Sequence, residues 1–220
     1  MEGHENFTTI EDYLQEINSE QFVAAVGKAV NYSLETGRET LFEVDYIRGQ
    51  FLHDYNITVG TESGVGNNLV NEYGVCNLVD YLPHPNPEKR VGRENKSVIS
   101  FHTHPLYGSL FPSPNDLACL HDAKLNHSHN PIAIIAQTNH SDKLPVILYQ
   151  EKFGQNPESS FRKLSSGFGV LESLRSNTSF FMRWINNLAE RCYEEVLDTY
   201  NIKWAEFVRQ KGFRIMPGNV

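Results

Sequence analysis

Val98-Ile99-Ser100-Phe101-His102-Thr103-His104-Pro105, followed by Ser113-Pro114-Asn115-Asp116, is the stretch from which both fold and chemistry can be read. An apolar run ends in two histidines two residues apart, and side chains at i and i+2 of a strand leave the same face. Both imidazoles can therefore reach one ion. Pro105 keeps the chain extended and stops the strand soon after. Ser113 then stands where a helix should begin, with Pro114 at its first position and Asp116 at its third. Two histidines and a carboxylate, with a fourth position left over, make the ligand set of a catalytic zinc site rather than a structural one.

Working outward, the pattern alternates between helix and strand. From Ser19 to about Thr36, Phe22, Val23, Val26, Ala29, Val30 and Leu34 recur at three- and four-residue intervals, and Gly37 stands where a helix should stop. Thr40 to Ile47 reads as a strand, with a returning strand at Tyr55 to Val59 and another at Val75 to Tyr81. The stretches 60–74 and 83–97 read as loops. A helix is expected from Pro114 to about Leu125, then buried strands at Pro131 to Gln137 and Pro145 to Gln150. Beyond a polar linker, about Val170 to Arg209 carries Trp184, Leu188, Cys192, Val196, Tyr200, Trp204 and Phe207 in a three-four rhythm and reads as helical. The expected fold is α/β, a mixed β-sheet flanked by helices with a C-terminal helical extension. The expected organisation is an N-terminal extension at 1–18, a metallohydrolase domain at 19–150, and a linker with helical extension at 151–220.

The chain has 220 residues, 40% of them apolar, and a net charge of −8. That composition supports a real core, and the acidic balance argues against nucleic acid or anionic membrane as partner. Three scattered cysteines, Cys76, Cys119 and Cys192, form no CxxC pair and point to a reducing compartment. The polar, acidic start reads as no signal peptide, and no apolar run approaches the roughly 20 residues of a membrane span. A cytoplasmic location is the expectation.

His102-Thr103-His104-Pro105 with Ser113-Pro114-Asn115-Asp116 resembles the signature of the JAMM (MPN-plus) metalloproteases and deubiquitinating enzymes, an upstream Glu, then His-x-His-Pro, then Ser-x-x-Asp. The likeness covers roughly residues 19–150. It implies a JAMM-like α/β fold in which a helix precedes the strand bearing the Glu, and zinc bound by His102, His104 and Asp116. It further implies a glutamate acid–base near the helix-to-strand junction, with Ser113 steadying the tetrahedral intermediate. Two features depart from the family pattern. Residues 105–112 make eight where the family has seven, a loop insertion that is cheap to absorb. The glycines that usually follow the Glu are missing. Glu39 opens the strand and is the first choice for the acid–base; Glu43, on the same face and roughly 13 Å away at strand rise, is the second.

The implied activity is hydrolysis of a peptide or isopeptide bond, with a protein substrate such as a ubiquitin-like or sulfur-carrier-like modifier. The rival is a JAMM-like scaffold without catalysis that acts as an interaction module. An amidohydrolase barrel, which also opens on His-x-His, needs about 250 residues and further ligands than the chain supplies after His104. Several other histidines have plainer readings. His127 and His129 lie in a solvated turn, and His121 reads as a helix-surface residue, with a supporting role beside the metal ligands as the alternative. Cys119 reads as packed core. The helical tail reads as core packing or an oligomer surface.

Overall fold

The computed structural model describes residues 7–53, 55–60, 97–105, 110–112, 114–125, 129–155, 191 and 194–219. A 3-10 turn at Ile10–Tyr13 leads into the short helix α1 (Leu14–Ile17) and then α2 (Glu20–Thr36). The Ser19 side chain accepts the Phe22 N–H at 3.2 Å, capping α2. Gly37 ends it at φ +67°, a left-handed conformation that glycine adopts without a Cβ penalty.

Strands β1 (Thr40–Ile47), β2 (Gln50–Leu52), β3 (Thr58–Val59) and β4 (Ser97–His104) follow. Helix α3 (Pro114–Leu125) comes next, then β5 (Ile132–Gln137), β6 (Lys143–Glu151), β7 (Tyr200–Val208) and β8 (Gly212–Asn219). They form one mixed sheet in the order β2-β1-β4-β5-β6-β7-β8, with β3 also paired to β1. β4 and β5 run parallel, whereas the other described pairs are antiparallel. A parallel pair needs a crossover, and α3 lies in the connection that supplies it.

Strand alternation divides the interior in two. Phe42, Ile99, Phe101, Ile134, Val146 and Phe207 point to the side where Phe22, Val26 and Val30 of α2 pack. Ala133, Ile135, Ile147, Tyr149 and Tyr200 point to the opposite side, against Leu117 and Leu120 of α3.

Three expectations need correction. The helical reading of the tail fails from residue 200 onward, because Tyr200–Val208 pairs along its whole length with β6 and returns as β8. Trp204 and Phe207 are therefore sheet residues, and 200–219 complete the main sheet rather than forming a helical extension. The returning strand at 55–59 is reduced to β3, with β2 lying earlier at 50–52. Nor do residues 7–18 form a detached extension. Ile10, Tyr13 and Ile17 are buried in the α2-side core, and the Tyr13 hydroxyl donates to the Asn130 carbonyl at 2.9 Å. Asn18 ties this segment to the C-terminal hairpin, its Oδ1 accepting the Phe213 N–H at 2.7 Å. The expected strand at 75–81, the loops at 61–74 and 83–96, the helical run over 170–190, His127 and Ser113 lie outside the described residues.

Candidate metal centre

Strand β4 presents His102 and His104 on the α3 side of the sheet, at the end of its parallel pairing with β5, where His102 is abreast of Ile135 and His104 abreast of Gln137. Thr103 points the other way. Its Oγ1 accepts the Thr40 N–H at 2.9 Å and lies 3.0 Å from the Thr40 hydroxyl, which in turn bonds the Ala29 carbonyl at 3.1 Å. This buried polar bridge joins α2, β1 and β4 directly behind the two histidines. On the far side, Thr138 N–H donates to the His104 carbonyl at 2.9 Å and holds the end of the strand.

Asp116 sits in the first turn of α3 and closes the group. His102, His104 and Asp116 each offer a ligand atom, all within 4.8 Å of one another. The two Nε2 atoms face each other at 3.1 Å. Asp116 brings Oδ1 to 3.5 Å from the His102 Nε2 and Oδ2 to 3.9 Å from the His104 Nε2. Ligand atoms at the corners of a tetrahedron with bonds of ~2.0–2.1 Å stand about 3.3 Å apart, so these separations bracket what a divalent cation asks for.

The donor chemistry agrees with the spacing. Burial is the main influence on His102, pushing its pKa down to about 4; Asp116 opposes the shift and His104 adds to it. His102 is thus neutral near pH 7, the form that ligates metal. At 3.1 Å at most one proton fits between the facing Nε2 atoms, so at least one lone pair points into the group. The side chains of His102 and His104 are 8% and 10% exposed and that of Asp116 is 22% exposed, so the cluster is reached through the carboxylate side. These three residues could hold a metal ion.

Both candidate glutamates lie on the same face. Leu41 is abreast of His102 and Glu43 abreast of Ser100. Continuing that register, Glu39 falls abreast of His104, while Glu43 is one pair short of His102. The Gly60 N–H donates to the Glu39 carbonyl at 2.8 Å and holds the chain at the mouth of β1. Both glutamate side chains are half-buried.

Two features of this region do not follow from local sequence pattern. His121 is no surface residue. It is buried on α3 with Nδ1 2.6 Å from Oε2 of Glu151, which is itself buried at the end of β6. The histidine and glutamate come from elements 30 residues apart, so only the lone acid closing an apolar strand hinted at the pair. Likewise Phe111, in the connection between His104 and α3, packs edge-on against Trp204 with ring centroids 5.6 Å apart. His129 is placed among aromatic rings, 5.6 Å from Phe7 and 5.0 Å from Tyr46. Cys119 is half-buried and forms no disulfide among the described residues.

Among the described residues, no helix is long and apolar enough to cross a membrane. No protein-family model matches the chain, and comparison with curated proteins finds no match either.

Proposed function

We propose that the chain is a zinc-dependent metallopeptidase or isopeptidase of the JAMM type. The observation that carries this reading is the convergence of His102, His104 and Asp116 from two different elements, with the Glu39 end of β1 lying alongside. The order of parts also fits that family. A helix precedes the glutamate-bearing strand, which pairs antiparallel with the His-x-His strand, and the aspartate opens the next helix.

Zinc held by three protein ligands would lower the pKa of a water to about 7 and supply a nucleophile at neutral pH. The chain's own residues provide the rest. His102 and His104 would hold the ion through their Nε2 atoms, and Asp116 would add the charge that a divalent ion needs. Glu39 takes the proton from the attacking water, holds it on a carboxylate oxygen and returns it to the leaving amine. Ser113 donates its hydroxyl to the developing oxyanion, as the resemblance implies. The substrate class is a peptide or isopeptide bond in a protein, with ubiquitin-like or sulfur-carrier-like modifiers first to be tried.

Metal analysis of the purified protein, together with cleavage assays on peptide- and isopeptide-linked ubiquitin-like substrates, tests the proposal. One zinc per chain is expected. His104→Ala should lose both the metal and turnover. Glu39→Gln should keep the metal and lower kcat by ~100-fold or more. Full activity in Glu39→Gln would move the base to Glu43. A parent protein that takes up no zinc would favour the interaction-module reading instead.

A further inference from the structure

The geometry points to Glu151 as a positioning residue: with His121 and Lys124 it forms a buried clamp that sets the height and rotation of α3, so that Asp116 meets the two histidines at metal-binding distance. The inference rests on the reading of His102, His104 and Asp116 as a metal site, and not on the reaction carried out there.

His102 and His104 are fixed by β4, whereas Asp116 rides on a separate helix. The ligand set closes only if α3 stands in one position relative to the sheet. Apolar packing does not settle this well. Leu117, Leu120 and Ala123 are the buried apolar side chains of α3 among the described residues, and such contacts are non-directional. Directional contacts are supplied by the clamp. One carboxylate oxygen of Glu151 meets His121 Nδ1 at 2.6 Å, and the other pairs with the Lys124 ammonium. Lys124 also donates to the Lys152 carbonyl at 3.3 Å. His121 and Lys124 are three residues apart and so share one face of the helix. A single rigid carboxylate at the end of β6 thereby grips two successive points on α3.

A further bond acts at the start of the helix. The Tyr200 hydroxyl on β7 donates to the Leu117 carbonyl at 2.8 Å, one residue beyond Asp116. From Asp116 to His121 is about 7.5 Å along the helix axis. A slip at the clamp is therefore carried to the carboxylate undiminished, since a helix this short moves as one piece.

Glu151 is 1% exposed, and a charge buried to that degree is a poor source of stability. Well-packed apolar replacements of buried ion pairs are often neutral or stabilising. Groups that orient metal ligands, by contrast, commonly cost 10–100-fold in metal affinity when removed. Those two tendencies separate a positioning role from a structural one.

The test uses the full chain, stripped of metal and titrated with Zn2+ alone against a chromophoric chelator, with thermal melting of the metal-free form measured in parallel. In the triple variant His121→Leu, Lys124→Met, Glu151→Leu, zinc should bind at least tenfold more weakly while the metal-free melting temperature stays within a few degrees of the parent. Glu151→Gln, which keeps shape and removes charge, should weaken zinc in the same direction and decides the matter if the triple variant does not fold. Parent-like zinc affinity in the variant that folds overturns the clamp, and so does an affinity loss that only follows a fall in metal-free melting temperature. A parent that binds no zinc sinks the metal reading itself, a result distinct from either.

Discussion

On the α2 side of the sheet, Phe22 packs edge-on against Phe42 at 5.3 Å, and Phe42 stacks on Phe101 at 4.9 Å. On the α3 side, the same central strand turns out His102 and His104, facing a helix that carries Asp116, His121 and Lys124. One eight-residue strand thus supplies both an aromatic core and two members of a polar cluster, because alternate side chains leave opposite faces. The larger apolar cluster lies on one side and the residues that could hold a metal lie on the other. Changes on the two faces should therefore register in different measurements.

The largest effect is expected on the aromatic side. Phe101→Ala removes a fully buried ring from between Phe42 and the neighbouring core, and should lower unfolding free energy by about 3–5 kcal/mol. Denaturant titration of the metal-free protein measures it. Zinc stoichiometry should stay at one per chain wherever the variant remains folded. A loss below about 1 kcal/mol would show that this face does not dominate stability.

Acidification probes the polar side. His102 titrates near 4 in the folded chain against 6.5 for an ordinary histidine. Between those values the unfolded chain binds a proton that the folded chain refuses. The metal-free protein should therefore be unaffected by this group above about pH 6.5 and lose stability as pH falls from there towards 4. The full loss is on the order of 3 kcal/mol. His102→Leu should flatten that part of the pH profile. If the parent and His102→Leu profiles run parallel from pH 6.5 to 4, the histidine is not held neutral by burial.

Much of this two-sidedness was legible from local pattern. Ser19 and Gly37 marked both ends of α2, β1 was read over its observed span, and the strand carrying His102 and His104 placed both on one face. β7 reads as helix from spacing alone because an interval of four residues satisfies both periods. Tyr200 and Trp204 share a face in a helix and also in a strand, and the alternation Tyr200, Ile202, Trp204 against Asn201, Lys203 was the better signal. The turn after it held another clue in Gly212 at φ +92°, where an added Cβ would meet Asn18 Oδ1 at 2.5 Å. The burial of His121 is hidden from local pattern for a different reason. Its partner Glu151 is brought to it by the sheet, and no local period encodes a contact made across 30 residues.

The finest test lies at Thr103, between the two histidines in sequence yet facing away from them. Thr103→Val preserves the shape but removes the oxygen that accepts the Thr40 N–H at 2.9 Å. That N–H is buried and would be left without this acceptor, at a cost of about 1–2 kcal/mol. The imidazoles of His102 and His104 project to the other face, so zinc stoichiometry should be unchanged. Any effect on turnover should come through the start of β1, where Glu39 precedes Thr40 and depends on that hydrogen bond for its place abreast of His104. Denaturant titration, zinc affinity and kcat measured on one preparation separate these consequences. If Thr103→Val instead abolishes zinc binding while the protein stays folded, the division of labour between the faces fails at the strand they share.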